Sequence, residues 1–297
     1  MNEDLVGGTD EQSVSDFAQY RGLLIAVAYR VLSSVSDAED AVQDAWLRWS
    51  KVDHSSIKDP RAYLVRVTTR VALDRLRRRK ARREDYYGEW LPEPMLTGLD
   101  VAAQVELAES ISTALLVILE TLSPLERAVF VLREAFSFSH AEIAEMLGRS
   151  EPTVRQLAHR ARTHVAERRP RFEPDPQVRE EVTDRFFAAT MEGDLAGLMA
   201  VLAPDVTLIT DSGGKTRAPL HPVVGAGNVA RFFVAVAQRP LPDQHAMVVE
   251  LNGSPGLVAT AGGVPIAAAT LVIEDGLVRY IYLVANPEKL QGLKGLN

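Results

Sequence analysis

Arg155, Gln156, His159, Arg160 and Arg162 fall within a few positions of one another in the stretch 139–169, "SHAEIAEMLGRSEPTVRQLAHRARTHVAERR". Their types share one chemistry. An arginine can donate two hydrogen bonds to guanine O6 and N7, and a glutamine can bond adenine N6 and N7. With Thr153 they make a polar, cationic set. On the other side of the same helix, Val154, Leu157, Ala158, Ala161 and Val165 recur with the helical period and belong to a core. A second cationic set lies upstream. Seven of the nine residues Arg75–Arg83 are basic and none is acidic. Arg66, Arg70 and Arg77 share one stripe of that helix, beside Asp74, Arg75 and Arg78. Such a cluster neutralises phosphate whatever the base sequence. A third set is acidic: Asp40, Gln43, Asp44 and Leu47 occupy one face of "SDAEDAVQDAWLRW" (36–49) and suit a basic protein partner. Asp37, Glu39 and Asp40 also complement the dipole of the first turn, whereas Asp44 lies deeper in the helix.

The elements that must hold these sets are legible in outline. Residues 14–84 read as helical. Ser36 with Glu39 forms a capping box for the acidic helix, whose Ala38, Val42, Ala45 and Trp49 face a core. Asp59 caps the basic helix and Pro60 sits in its first turn. Gly88, Pro92, Pro94 and Gly98 interrupt the pattern, so 85–104 is a linker. Helices resume at about Val105 and restart at Ser123–Pro124. Ser139 with Glu142 caps a short helix that Gly148 ends in the left-handed conformation. Ser150 or Glu151 caps the next one, with Pro152 in its first turn. Pro170, Pro174 and Pro176 mark a boundary.

Beyond that boundary the period changes. One or two helices (178–203) precede the strand-like runs 205–210, 245–252, 256–262, 266–276 and 277–286, with a helix over 227–239 between them. Strands joined by Gly and Pro turns, with helices gathered at one end, indicate an α+β domain.

Composition bounds the function. The 297 residues are 46% hydrophobic and 25% charged, with a formal net charge of -7, an ordinary globular mixture. The cationic residues are concentrated: Arg66–Arg83 carries a net +8 and Arg149–Arg171 a net +5. An acidic chain with two such patches can still meet a polyanion. No cysteine is present, which excludes disulfides, thiolate metal sites and cysteine catalysis and fits a reducing compartment. The N-terminal residues have no apolar core and so do not read as a signal peptide, and 256–273 is broken by Gly256, Gly262, Gly263 and Pro265, which argues against a membrane span. A cytoplasmic protein is expected.

Several of these stretches together resemble one family. "DAEDAVQDAWLRW" (37–49), "RAYLVRVTTRVALDRLRRRKARRE" (61–84) and the helix-turn-helix, with Ala144, Gly148 and Val154 at its small, turn and apolar positions, are similar to bacterial extracytoplasmic-function (ECF) sigma factors. "WLPEP" (90–94), "DSGGK" (211–215) and "NPEKL" (286–290) resemble signatures of the subgroup that carries a fused C-terminal SnoaL-like domain. The resemblance implies two all-α domains, a σ2 helical bundle and a σ4 helix-turn-helix, followed by an α+β SnoaL/NTF2-like domain. The implied division is a disordered N-terminus (1–13), σ2 (14–86), a linker (87–104), σ4 (105–171) and the SnoaL-like domain (175–297).

The resemblance also implies roles. Asp40, Gln43, Asp44 and Leu47 would dock on the β′ coiled coil of core RNA polymerase, with a second contact to the β flap. Arg66, Arg70, Asp74, Arg75, Arg77 and Arg78 would lie along the −10 element, with the loop 51–60 capturing an unstacked base of the unwound strand. Thr153, Arg155, Gln156, His159, Arg160 and Arg162 would read the −35 element of duplex promoter DNA. Trp90, Leu91, Pro92, Asp211, Gly213, Gly214, Lys215, Asn286, Pro287 and Lys289 would form an inter-domain regulatory set, in which Lys215 and Lys289 meet the acidic faces of σ2 or the linker. No catalytic residue, cofactor, metal or membrane contact is expected, and the free protein would be monomeric. Ser212 departs from the subgroup's usual Asp-Gly-Gly-Gly-Lys, and serine tolerates positive φ poorly.

Two other readings remain open. A one-component helix-turn-helix regulator with a sensing domain would explain the C-terminal half but not the acidic helix joined to a basic one. A SnoaL-like enzyme would need a base among Asp184, Asp205, Asp211, His221 and His245, whose spacing is not diagnostic.

Overall fold

The computed structural model describes residues 4–82, 86–97, 112–168 and 175–296, with the side chains of 4–13 and of Arg82 left aside. Arg83, Val105, Pro170 and Pro174, and the ends of the expected linker and helix-turn-helix segments, lie outside the described residues. The chain divides into two compact units. One comprises 1–84, 100–111 and 118–168, and the other 85–99, 112–117 and 169–297. The expected linker residues 86–97 thus belong to the α+β unit, and the two helical segments expected as separate domains share one unit.

The helical unit starts with α1 (Asp4–Leu32), α2 (Val35–Trp49) and α3 (Pro60–Arg82). Helix α1 begins before residue 14, within the stretch expected to be disordered. The cap of α2 is Ser34, not Ser36. Ser34 is extended (φ -135, ψ 125) and its hydroxyl accepts the Asp37 N–H, which starts the helix earlier than the Ser36–Glu39 pair predicts. The core stripe of α2 is buried as its period requires: Ala38, Val42, Ala45 and Trp49 all point inward. Asp59 Oδ1 accepts the Ala62 N–H at 2.9 Å and caps α3.

Helix α4 (Thr113–Glu120) leads to α5 (Pro124–Phe130), which Ser123 and Glu126 close with a capping box and which continues as a π-helical turn over Val131–Ala135. The helix-turn-helix is α6 (His140–Leu147) and α7 (Glu151–Arg168). Ser139 and Glu142 form the expected box, and Gly148 ends α6 at φ 63, ψ 46. Val154, Ala158, Ala161 and Val165 are buried on α7. Its cap is Ser150, whose Oγ accepts the Thr153 N–H at 3.4 Å.

The α+β unit has helices α8 (Pro176–Glu192), α9 (Leu195–Val201) and α10 (Ala226–Ala237) and strands β1 (Leu202–Asp211), β2 (Val223–Val224), β3 (Gln244–Leu251), β4 (Ser254–Ala261), β5 (Val264–Glu274) and β6 (Leu277–Val284). They form one six-stranded sheet in the order β2-β1-β6-β5-β4-β3. The β1–β6 pair is parallel and the others are antiparallel. Because successive strand residues point to opposite faces, the sheet supports two cores. One packs Phe186, Phe187, Val229 and Phe233 of the helices against Val206, Leu208 and Ile281. The other gathers Leu91 with Leu251, Val258, Ala268, Tyr282 and Val284. Among the described residues, no helix is long and apolar enough to cross a membrane.

Candidate nucleic-acid interface and linker seat

The expected −35 set stands clear of the protein. Thr153, Arg155, Gln156, His159, Arg160 and Arg162 are all exposed along α7, away from its buried stripe. Two are held by acids of the same unit: Arg155 by Glu151 at 2.5 Å and Arg162 by Glu134 at 2.7 Å. Both pairs are solvent-exposed, a class worth about 0.2–1 kcal/mol each, so they aim the guanidinium groups without locking them.

The expected −10 set divides. Arg77 bonds Asp74 at 3.0 Å, and Arg78 donates to the Asp74 carbonyl at 3.3 Å; all three are exposed. Arg66 and Arg70 turn to α6. Arg70 donates from Nε to the Met146 carbonyl at 2.9 Å, and Arg66 lies 3.9 Å from Glu145. The last carbonyls of a helix lack intrahelical partners and carry negative dipole, so two cations collect there. Beside them a groove of about 510 Å³ runs between the loop 51–60 and α6, with Ser56, Ile57 and Lys58 on one wall and Glu142 and Glu145 on the other. The loop expected to capture a base therefore faces carboxylates of the helix-turn-helix in this arrangement.

Arg75 is a correction. It was expected on DNA, yet its two terminal nitrogens bond Asp40 (3.1 Å) and Asp44 (2.8 Å), the acids expected on polymerase. Burial alone would lower its pKa, but the bonds and charges of Asp44 and Asp40 outweigh that and hold it above its ordinary value. Gln43 and Leu47 are exposed on the same helix face.

Sequence reasoning missed a buried network behind these surfaces. Arg127 is fully buried; it bonds the Arg30 carbonyl at 3.0 Å, Ser33 Oγ and Glu120. Glu120 also receives Arg79 at 3.3 Å, and Lys80 bonds the Glu120 and Leu122 carbonyls. Here α5 is tied to the end of α1 and to α3. Burial holds Arg30 down at about 10. An arginine beside Ala128 in "PLERAV" gives no sequence sign of such partners.

In the α+β unit, the expected regulatory set converges. Asp211, fully buried, accepts three hydrogen bonds: Tyr86 Oη at 2.6 Å, the Leu91 N–H at 2.8 Å and Lys289 Nζ at 2.6 Å. Lys289 also donates to the Leu91 carbonyl at 2.5 Å and sits 3.7 Å from the centre of the Trp90 ring. Leu91 is 1% exposed, and Pro92 is buried beside it. Asn286 Nδ2 donates to Tyr86 Oη at 3.0 Å. Burial, then the Asp211 carboxylate, pushes the Tyr86 hydroxyl well above its ordinary pKa. Downstream, Met95 and Asn252 exchange two bonds, and Thr97 bonds Glu250 through both main chain and side chain. The linker is an added edge of this unit.

Gly213 and Gly214 make room for it. Both have positive φ (54 and 71). A Cβ at Gly213 would stand 2.5 Å from Asn286 Nδ2, and one at Gly214 would stand 2.8 Å from the Tyr87 ring. Ser212 is not among the described residues with positive φ. Its hydroxyl accepts the Gly214 N–H at 3.3 Å, which is why serine fits where the subgroup has glycine. Lys215 departs from expectation: it pairs with Glu288, so the two motifs meet each other there. Pro287 is exposed between Asn286 and Glu288.

The enzyme reading gains nothing from the geometry. Asp205 is paired with Arg279 at 2.6 Å and Asp211 with Lys289. Among the described residues, no three His, Asp or Glu side chains are placed to hold a metal.

The chain matches two family models, Sigma-70 region 2 over residues 17–82 and Sigma-70 region 4 over residues 112–165. It is 42% identical over 293 residues to the ECF RNA polymerase sigma factor SigJ of Mycobacterium tuberculosis, covering 94% of this chain and 93% of that one. It is 32% identical over 278 residues to the probable ECF RNA polymerase sigma factor SigI of the same species, covering 93% of each. The crystal structure of M. tuberculosis SigJ superposes with a TM-score of 0.76 at 38% identity, over 96% of this chain and all of that one.

Proposed function

Because the chain belongs to the extracytoplasmic-function RNA polymerase sigma factors, we propose that it recruits core polymerase through the residue sets described above and that its α+β unit governs this step through residues 86–97. Asp40, Gln43, Asp44 and Leu47 meet the β′ coiled coil, and the helix-turn-helix region meets the β flap. Arg77 and Arg78 contact −10 phosphates beside Asp74, with Arg66 and Arg70 joining when they leave α6. Thr153, Arg155, Gln156, His159, Arg160 and Arg162 read the −35 element in the major groove. The free protein works as a monomer in the cytoplasm and performs no catalysis.

The observation that carries the regulatory part is the buried triad of Asp211, Lys289 and the Leu91 main chain. A segment between two polymerase-binding regions has little reason to be built into a third domain unless its position matters. Breaking a buried ion pair by removing one partner costs about 3–5 kcal/mol, so the seat is strong enough to act as a latch. The test is reconstituted transcription with the full chain and its Asp211→Asn variant. We expect faster proteolysis within 86–97, unaltered capture of core polymerase and a promoter output changed at least fivefold. A released linker with unchanged output would remove the regulatory role and leave the sigma function standing.

A further inference from the structure

The α+β unit contains a cavity of about 280 Å³ between its sheet and helices α8 and α10. Phe186 and Phe187 of α8 and Phe232 and Phe233 of α10 form its roof through edge-to-face ring contacts. Its floor is strand: Leu257 and Ala259 of β4, Ala267 and Ala269 of β5, and Leu283 of β6. The register sets Ala259 opposite Ala267 and Leu257 opposite Ala269, so small side chains adjoin where larger ones would close the space. Although helices cover this face, Leu257, Ala259, Ala267 and Leu283 remain partly exposed, whereas Val258 and Ala268 on the other face are 0% and 2% exposed. The covered face is hollow and the linker face is filled.

The lining selects a ligand class. None of its side chains is an acid, a lysine or an arginine, so an ion entering would lose hydration without compensation. Polar groups lie at the mouth. Gln244 Oε1 accepts the Leu241 N–H at 2.8 Å, which turns the amide nitrogen into the available donor, and His245 stands next to it, exposed. The volume falls near the lower end of the range for small-molecule sites, ~300–1,000 Å³.

We propose that this slot binds a neutral, largely apolar molecule of one or two rings with a carbonyl or hydroxyl at its mouth-facing end, and that occupancy is felt at the linker seat through the single sheet layer between them. Adjacent residues serve the two sites. Leu257 and Leu283 line the slot, while their neighbours Val258 and Tyr282 pack in the core that holds Leu91; Ala268, between Ala267 and Ala269, does the same. A ligand that pushes on the floor shifts the strands on which Leu91 rests, and it changes the latch only by binding one sheet arrangement better than the other. The second part rests on the regulatory reading of the latch.

The probe is 2-naphthol, neutral at pH 7, titrated into the full chain labelled with 5-fluorotryptophan; Trp90→Phe assigns the Trp90 resonance. We expect saturable one-site binding and a displaced Trp90 fluorine signal at saturation. Ala267→Phe fills the floor and should weaken binding at least about tenfold, with the Trp90 signal and the melting curve of the unliganded protein retained. Ala259→Phe serves if the first variant does not fold. Absence of saturable binding, or binding undiminished in a folded floor variant, overturns the site. So does self-association without probe uptake, which would assign the slot to a second copy of the chain. Binding with an unmoved Trp90 signal overturns the relay alone. None of these outcomes depends on promoter-driven transcription, so the sigma reading stands or falls separately.

Discussion

Arg70 donates its Nε–H to the main-chain carbonyl of Met146, 2.9 Å away. A side chain expected to lie on promoter DNA thereby satisfies the frayed end of a helix in the helix-turn-helix. With Arg66 opposite Glu145, the contact makes one helical unit of two regions that a polymerase-bound factor would present to separate promoter elements.

Reversing that contact should open the unit. Glu145→Arg places a cation against Arg66 and removes one wall of the acidic groove. The chain has no cysteine, so probes on Lys58→Cys and Ser150→Cys report one distance. That distance is expected to lengthen, and affinity for random duplex DNA to rise. The slope of log K against log salt should steepen by about 0.9 for each phosphate newly met. An unmoved distance with an unmoved slope would show that the closed arrangement does not hold DNA off.

Promoter discrimination should depend on Arg155 and Gln156. Replacing either by alanine is expected to lower −35 preference by about 1–3 kcal/mol for a lost bidentate contact. Glu151→Gln, which frees Arg155 from its 2.5 Å partner, should leave the preference intact and speed association. Competition binding with scrambled −35 duplexes measures both. Equal affinity for cognate and scrambled sites in wild type and Arg155→Ala alike would mean that another face reads the DNA.

Arg75 competes with polymerase in this arrangement. Asp44→Lys should lose core polymerase while keeping a native melting curve. Arg75→Gln uncovers Asp40 and Asp44 and should tighten core binding severalfold, with little change in DNA affinity. If Arg75→Gln weakens −10 binding and leaves polymerase untouched, the arginine is a DNA contact after all.

Acid should loosen the helix-turn-helix at its first cap. Glu142 accepts the Ser139 N–H at 2.7 Å, and the Ser139 bonds, side chain first, lower its pKa below the usual carboxylate value. A carboxylate depressed on folding contributes stability above its unfolded pKa of about 4.3 and loses it as pH falls through the folded value. Amide exchange at Ser139 should therefore accelerate below about pH 4.3. Glu142→Gln should flatten that dependence. Identical profiles for the two proteins would exclude the cap as the titrating group.

The parts of this architecture readable from sequence are those that local rules govern. Ser139, Glu142 and Gly148 act within one helix and its ends, so type and spacing sufficed. The alternating runs of β3 to β6 needed only the period of two, while the two-residue β2 was too short to announce itself. The cap of α2 went astray because Ser34 and Ser36 both suit the role, and the extended backbone at Ser34 decides between them. Asp211, Gly213, Gly214, Asn286 and Lys289 were singled out only by resemblance. Their partners Tyr86 and Leu91, and the burial of Arg127 against Ser33, depend on contacts far apart in the chain. No local pattern encodes those.

Leu91 and Lys289 are 198 positions apart, and Tyr86 and Asp211 are 125 apart. Synthesis proceeds from the N-terminus at ~5–20 residues per second, so Leu91 leaves the ribosome roughly 10–40 s before the lysine that latches it. Throughout that interval the helices of both sigma regions can fold while the segment between them hangs unclaimed. Restraint in this protein arrives last, and a chain cut short by a stalled ribosome carries the recruiting surfaces without the latch.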